Sequence, residues 1–172
     1  EISELVSEYK ASGEPFGGKT VTASLASNIA VDLNKQTATI ANLILKAANL
    51  QLKADLALTE LDKTPKVAGQ VHIPPFSAQV LLEAMGQKTI PTADPKALTS
   101  IGFKTSIASP AGNISLNNIE IVLDKTTYTG NLAFTPSTQK LLARLNGTVI
   151  NIDDYLPAKP AKVKKDKLSE AI

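Results

Sequence analysis

Apolar and polar residues alternate along much of this chain, and the alternation constrains the fold more than any other feature of the sequence. In LQLKADLAL (50–58) every second residue is Leu or Ala, and polar residues occupy most of the positions between them. Successive side chains of a β-strand point to opposite faces, so this period predicts a strand with one apolar face. The pattern recurs at 21–33, 38–45, 66–73, 102–108, 113–123 and 127–134, with a last strand near 140–152. A mainly β fold is expected.

Short helices are predicted at three places. The segment 76–86 has apolar residues at helical spacing, with Ser77 as the N-cap and Gly86 just past the C-terminal end. Asp94 followed by Pro95 indicates a second helix, because proline is favoured at the first helical position. The third is expected near the N-terminus, where Ile2, Leu5, Val6 and Tyr9 have the spacing of one helical face.

The chain contains an internal repeat. Residues 40–58 align without a gap on residues 116–134. The alignment pairs Asn42 with Asn118, Leu43 with Ile119, Leu45 with Ile121, Leu56 with Leu132 and Leu58 with Phe134. The alternation changes phase once in each copy, at the same place, as it does at a β-bulge. We therefore predict a long curved antiparallel sheet, U-shaped or groove-like, built from two repeats of about 20–95 and 96–157.

The apolar face of this sheet has two possible uses. A closed sandwich would fill it with a second sheet, whereas an open trough would leave it available to a guest. Aromatic residues make up only 4% of the chain and Trp is absent, so the face is mostly aliphatic. Such walls suit acyl chains, because each methylene removed from water contributes about 0.8 kcal/mol. Alternation alone leaves both architectures open.

One motif suggests nucleotide chemistry. GEPFGGKT (13–20) matches the phosphate-binding pattern G-x-x-x-x-G-K-[ST], in which Lys19 and Thr20 would reach the terminal phosphate and magnesium. That site needs a strand before the loop and a helix after it, so that a helix N-terminus meets the phosphates. Here the predicted order is a helix and then a strand. We interpret the match as false, and the loop as a lead into the first strand.

Other catalytic groups are sparse. His72 is the one histidine and there is no Cys, so a metal set cannot be completed from these ligands. The alternation places His72 on the polar face of its strand. Asp153 and Asp154 are expected in a final turn, with Tyr155 and Leu156 packed inward. The sequence therefore predicts no enzyme activity, no cofactor and no metal.

Charge divides the chain into a body and a tail. The segment 158–172 carries five Lys and two acidic residues, while the remaining residues are close to neutral. A nucleic-acid partner is not expected, since phosphate binding needs clustered basic residues. The tail is interpreted as a Lys-, Pro- and Ala-rich linker, and residues 1–18 as a short helix with a Gly-rich lead-in. Because the chain starts at Glu1 and not at Met, we expect a mature chain or an excised fragment. No apolar run reaches membrane-spanning length, so no membrane span is expected within it.

The chain resembles the AsmA family of Gram-negative envelope proteins in four segments. These are PPFSAQVLLEAMGQ (74–87), TADPKAL (92–98), IEIVLDKTTYTGNLAF (119–134) and INIDDYLP (150–157). The last motif usually has an arginine where this chain has Asp154. The helix motif usually has asparagine, proline and arginine where this chain has Ser77, Ala78 and Gln79.

The resemblance implies a periplasmic domain over residues 19–157, tethered to the inner membrane by an N-terminal helix outside this chain. Family members are associated with outer-membrane assembly and lipid homeostasis, and larger relatives form long sheets with an apolar trough. The expected partners are a phospholipid or another acyl-chain lipid and outer-membrane assembly proteins. The expected function is therefore non-catalytic phospholipid handling between the two membranes. The alternative is a closed-core interaction module that supports outer-membrane protein assembly.

The predicted lipid-binding groove consists of inward-facing residues of both repeats. They are Val21, Leu25, Ile29, Val31, Leu43, Leu45, Leu50, Leu52, Leu56, Leu58, Val71, Ile119, Ile121, Leu132 and Phe134.

Overall fold

The chain folds into one antiparallel sheet of nine strands. The structure is a computed structural model that describes residues 2–109 and 112–157, so the predicted linker 158–172 lies outside the described residues. The order of strands in the sheet is their order in the sequence, and the sheet is not closed. The prediction of a mainly β, groove-like sheet is confirmed. The strands are β1 (Ile2–Ser12), β2 (Thr20–Asp32), β3 (Thr37–Ala47), β4 (Leu50–Thr59), β5 (Lys66–Phe76), β6 (Ile101–Ala108), β7 (Ile114–Leu123), β8 (Thr126–Thr135) and β9 (Lys140–Gly147).

The prediction of an N-terminal helix is wrong. Residues 2–12 form the edge strand β1, which pairs antiparallel with β2 from Leu5↔Ser27 to Ser12↔Thr20. The helical spacing of the apolar residues there also permits alternation, since Leu5 and Tyr9 share a face of a strand. Pairing with β1 satisfies the backbone N–H and C=O groups on the edge of β2 that faces away from β3. This tertiary interaction outweighs the local preference of residues 2–12 for a helix.

One helix prediction is confirmed and another is wrong. Helix α1 (Ala78–Ala84) begins after Ser77, whose side chain accepts a hydrogen bond from the Val80 N–H, and Gly86 follows with a φ of 70°. No helix forms at Asp94, whose carboxylate accepts the Lys96 N–H and holds a turn instead. The other helical segments described are single 3-10 turns at Glu14–Phe16, Pro136–Thr138 and Ile152–Tyr155.

The bulge predicted in each repeat is confirmed. The register between β3 and β4 shifts between Ile40 and Leu43, and the register between β7 and β8 shifts between Leu116 and Ile119. The residue that absorbs each shift is an asparagine with positive φ, Asn42 at 53° and Asn118 at 52°. Asparagine tolerates this conformation better than most residues, which explains why both bulges carry it.

The sheet forms a single layer. The extensive contacts between elements are all between strands that are neighbours in the sheet. The turn at Glu14–Phe16 makes a small additional contact with β1. Within the described residues, the buried apolar side chains are Ala54, Ala97 and Ile119. The closed core expected for the alternative function is therefore wrong for this part of the chain. Ala54 and Ile119 both lie on interior strands, so side chains of the neighbouring strands flank them on both sides.

The two ends of the sheet differ. Helix α1, the segment 87–100 and the segment 148–157 lie at the end where odd-numbered strands finish, which we call the capped end. The Ala78 N–H donates to the Leu98 carbonyl at 3.0 Å, and the Asn49 side chain donates to the Ser77 carbonyl at 2.9 Å. At the opposite end, called the open end, the described residues form the connections between even strands and the odd strands that follow them. No helix among the described residues has both the length and the hydropathy of a membrane span.

Candidate functional site

All of the predicted groove residues lie on the same face of the sheet, which we call the apolar face. Directly opposed residues of antiparallel strands share a face, so the register decides this without further assumption. One row runs from β2 to β9 across the sheet. Its members, in order, are Ile29, Ile40, Leu56, Gly69, Ile107, Leu116, Leu132 and Ala143.

The apolar face carries no charged side chain at the paired positions from Leu5 to Gly147. The row described above spans roughly 34 Å at about 4.8 Å between strands, and a ten-residue strand spans about 33 Å. The face therefore covers on the order of 1,000 Å², whereas the largest apolar patch on an ordinary monomer is about 300–600 Å². This surface, which has no second layer over it in the described residues, is the candidate binding face.

Three polar residues are nevertheless buried on this face, and two of them stabilise the bulges. Ser27 donates its hydroxyl to the Ala41 carbonyl at 3.3 Å, and Thr105 donates to the Asn117 carbonyl at 3.1 Å. Both carbonyls belong to the residue before the bulge asparagine, where the ladder is interrupted. Because both hydroxyls have partners within the sheet, neither is left as an unsatisfied polar group on the face. The third buried polar residue is Thr126.

Sequence reasoning missed this arrangement. The sequence feature that could have revealed it is a hydroxyl residue among the inward-facing apolar residues of each repeat. These residues are Ser27 and Thr105, and each lies on the strand before the one that carries the bulge. Thr105 is only 2% exposed and Ser27 only 4% exposed, so neither position is simply a tolerated surface residue.

The capped end is held by close packing between α1 and the loop that precedes β2. A side chain at Gly86 would collide with the carbonyl group of Phe16, and one at Gly17 would approach the Gly86 carbonyl at 2.9 Å. Lys19 donates its ammonium group to the Glu83 carbonyl at 2.6 Å. These contacts place the helix across one end of the groove.

A second set of contacts at the capped end centres on Asp124, which follows β7. Its carboxylate accepts hydrogen bonds from the N–H groups of Leu98, Thr99 and Ser100 at 2.8–2.9 Å. Burial alone would raise the pKa of Asp124, but these hydrogen bonds and one from the Tyr155 hydroxyl hold that pKa below its ordinary value. Asp124 is thus a structural acceptor that ties 98–100 to the β7–β8 turn.

The segment 150–157 docks against this cluster. The Ala93 N–H donates to the Leu156 carbonyl at 2.7 Å, and the Asp94 N–H donates to the Asp154 carbonyl at 3.1 Å. Burial, followed by the neighbouring Asp124 carboxylate, raises the pKa of Tyr155 to about 12. Tyr155 packs inward as predicted, but Leu156 is 48% exposed, so that part of the prediction is wrong.

A pocket of about 240 Å³ opens between these segments. Asp94, Asp124 and Asp154 line it together with Lys96 and Lys125. Each of the three carboxylates already accepts a hydrogen bond that holds a turn. Within residues 2–109 and 112–157, no group of three or more His, Cys, Asp or Glu side chains is placed to hold a metal ion. The carboxylates that line the pocket are therefore acceptors for hydrogen bonds within the capped end.

The loop 13–20 does not have the geometry of a phosphate cradle. It is preceded by β1, which corrects the predicted helix, and followed by β2, as predicted. The N–H groups of Phe16, Gly17, Gly18 and Lys19 donate to carbonyls within the loop at 3.0–3.1 Å, so they do not converge on an anion. No helix starts after Thr20 to contribute its N-terminus.

His72 lies on the polar face, as predicted. It is directly opposite Lys53 of β4 on one side and Lys104 of β6 on the other. Its neighbours Val71 and Ile73 point to the apolar face. Two flanking lysines provide no acceptor that would orient an imidazole as a general base.

Comparison with known proteins identified no relative: no family model matches the sequence, and no curated protein or solved structure matches it either.

Proposed function

We propose that this chain is a non-catalytic AsmA-type envelope domain whose apolar face binds the acyl chains of phospholipids. The observation that carries the proposal is an uncharged apolar face that crosses the sheet and has no second layer over it in the described residues. Acyl chains require area and no directional bonds, and this face offers area, with the hydroxyls of Ser27 and Thr105 already paired at the bulges.

The arrangement of the resembling segments supports the assignment to this family. Segments 74–87, 92–98 and 150–157 all lie at the capped end, and the β7–β8 hairpin of 119–134 contacts them through Asp124. Residues that are scattered along the sequence thus form one cluster, as expected for motifs with a shared structural role. The substitution at Asp154 keeps the turn, because its carboxylate accepts a hydrogen bond from Asn151.

The cellular setting follows from the same proposal. The domain would act in the periplasm, tethered to the inner membrane through a segment outside this chain, and would help move phospholipid between the inner and outer membranes. Outer-membrane assembly proteins are proposed as further partners. No cofactor takes part, because an intact lipid would enter and leave such a face by partitioning, and no covalent bond would form or break.

The proposal is tested by photo-crosslinking to lipid. A photoreactive amino acid at Leu56 lies on the apolar face, and one at Ala57 lies on the opposite face of the same strand. After expression in Gram-negative cells, crosslinked phospholipid should appear at position 56 and not at 57 when the protein is analysed by mass spectrometry. Equal labelling at both positions, or none at either, would refute an acyl-binding face.

The alternative function needs a different test. An interaction module for outer-membrane protein assembly would act through protein contacts, and the closed core first expected for it is absent from the described residues. If the same two photoreactive variants captured one protein reproducibly at position 57 and no lipid at 56, the alternative would replace the lipid proposal.

A further inference from the structure

Both edges of the sheet present backbone and apolar side chains that no other strand covers within residues 2–109 and 112–157. All residues of β9 are exposed, including Leu141, Leu142 and Leu145 at 59%, 59% and 51%. On β1, Val6 is 67% exposed and Tyr9 is 58% exposed. An edge strand carries unpaired N–H and C=O groups and is a template for pairing with another strand.

The number of strands fixes the direction of any continuation. Neighbouring strands are antiparallel and there are nine of them in the described residues, so β1 and β9 run in the same direction, towards the capped end. A second copy placed beside the first in the same orientation would bring its β1 alongside β9 as a parallel strand. The apolar faces of the two copies would then be continuous.

The side chains of the two edges are complementary in that arrangement. We propose that β9 of one copy pairs in parallel with β1 of another, with Glu8 beside Arg144 and Glu4 beside Lys140. The same offset places Val6 beside Leu142 on the polar face. On the apolar face it places Leu5 beside Leu141 and Tyr9 beside Leu145.

Other registers are less favourable. A shift of one residue exchanges the faces of one strand and sets apolar residues beside charged ones. A shift of two residues in one direction places Lys10 beside Arg144, and in the other direction it separates Glu8 from Arg144. Pairing of β9 with a second β9 offers Lys140 and Arg144 no acidic partner, and charged edges of one sign resist such pairing.

The charges at these edges are available for this contact. Glu8 makes an exposed ion pair with Lys10 at 3.0 Å, and Arg144 has no ion pair within the described residues. An exposed pair of this kind is weak, so Glu8 can be shared with an arginine from another copy. Because each copy has one β1 edge and one β9 edge, the contact is head-to-tail and repeats, and every added copy extends the apolar face.

The association is measured by light scattering during size-exclusion chromatography over a dilution series. We expect the apparent mass at the highest concentration to be at least twice the monomer mass of 18.1 kDa. Glu8→Arg and Arg144→Glu should each abolish this increase, because each sets like charges side by side. Lys53→Glu, an exposed charge reversal on the interior strand β4, is the control and should leave the association unchanged.

Mixing the two single variants gives the decisive result. In an equimolar mixture, the glutamate introduced at position 144 of one variant faces the arginine introduced at position 8 of the other. In the other possible contact, Arg144 of the Glu8→Arg variant lies beside Glu8 of the Arg144→Glu variant, and both residues are unaltered. Association should therefore return. A mixture that stays monomeric, or an unaltered protein that is monomeric at every concentration, would overturn the proposal.

Dimers that persist in Arg144→Glu would also overturn it, since these would indicate a different interface. None of these measurements involves lipid, so failure here is distinct from failure of the proposed function.

A covalent test does not depend on the charge variants. The chain has no cysteine, so Val6→Cys with Leu142→Cys introduces one exposed thiol at each edge. The strand spacing of about 4.8 Å falls within the Cα separation of a disulfide. Mild oxidation should produce a ladder of disulfide-linked multimers, while Val6→Cys with Ala57→Cys should not. Absence of the ladder would also overturn the proposal.

Discussion

The backbone N–H of Asn42 donates a hydrogen bond to the carboxylate of Asp55 at 2.8 Å. In the second repeat, the N–H of Asn118 donates to the side-chain oxygen of Asn131 at 3.0 Å. Each bond satisfies the donor that a bulge leaves without a partner in the ladder. Both repeats therefore stabilise the bulge in the same way, and either a carboxylate or an amide can serve as the acceptor.

Removing this acceptor should destabilise the sheet. Asp55→Ala leaves the Asn42 N–H without its protein acceptor, so we expect the free energy of unfolding to fall by about 1 kcal/mol. Asp55→Asn reproduces the acceptor found at Asn131 and should cost less than half as much. Urea denaturation followed by circular dichroism measures both variants. Equal losses in the two variants would show that the hydrogen bond does not stabilise the bulge.

The Thr105 hydroxyl donates a hydrogen bond to the Asn117 carbonyl at the second bulge. Thr105→Val keeps the volume but leaves the Asn117 carbonyl without this bond in a buried position, so we expect the free energy of unfolding to fall by about 1–2 kcal/mol in urea denaturation. Thr105→Ser retains the hydroxyl and is the matched control. If the valine variant proved as stable as the unaltered protein, the buried hydroxyl would have no role at the bulge.

Acid should weaken the capped end through Asp124. Since the pKa of this carboxyl is lower in the folded than in the unfolded state, the carboxylate stabilises the fold above its unfolded pKa. That stabilisation is lost as the pH falls through the folded pKa. The urea midpoint should therefore drop with acidification, and Asp124→Asn should show a smaller drop over the same range. Parallel curves for the two proteins would contradict the assignment.

Alkaline conditions should act through Tyr155. Its folded pKa of about 12 lies above the ordinary value of 10, so the neutral phenol stabilises the fold below pH 10 and that contribution is lost between pH 10 and about 12. Tyrosinate absorbance should show a step near this higher value. Tyr155→Phe should remove the step, whereas Tyr9→Phe should retain it. A step that survives in Tyr155→Phe would belong to another residue.

Local pattern was sufficient for the strands of the sheet interior and for helix α1. Period-two alternation reports which residues share a face, and Ser77 and Gly86 act through their own backbone neighbourhood. Prediction from the local pattern failed at β1, where pairing with β2 decided the conformation. It also failed at Asp94, where the side chain holds a turn that competes with a helix. The first failure concerns a strand whose partner is distant in sequence, whereas the second arises from a hydrogen bond over only two residues, between the Asp94 carboxylate and the Lys96 N–H.

The candidate site divides in the same way. The alternation assigned the groove residues to one face, and the register agrees for all of them, while their binding of lipid stays a prediction. Asp124 and Tyr155 could not be recognised as neighbours from the sequence, because the contact joins the β7–β8 turn to a segment beyond β9. The roles of Ser27 and Thr105 likewise depend on which carbonyl the bulge places opposite them.

By itself, the sequence determined the faces, the repeat and the position of each bulge, because these depend on the spacing of side chains along one strand. Only the tertiary structure decided that the apolar face has no second sheet over it in the described residues and that the scattered segments meet at one end. Those outcomes depend on which strands are neighbours, and a period of two is the same in a closed sandwich and in an open groove.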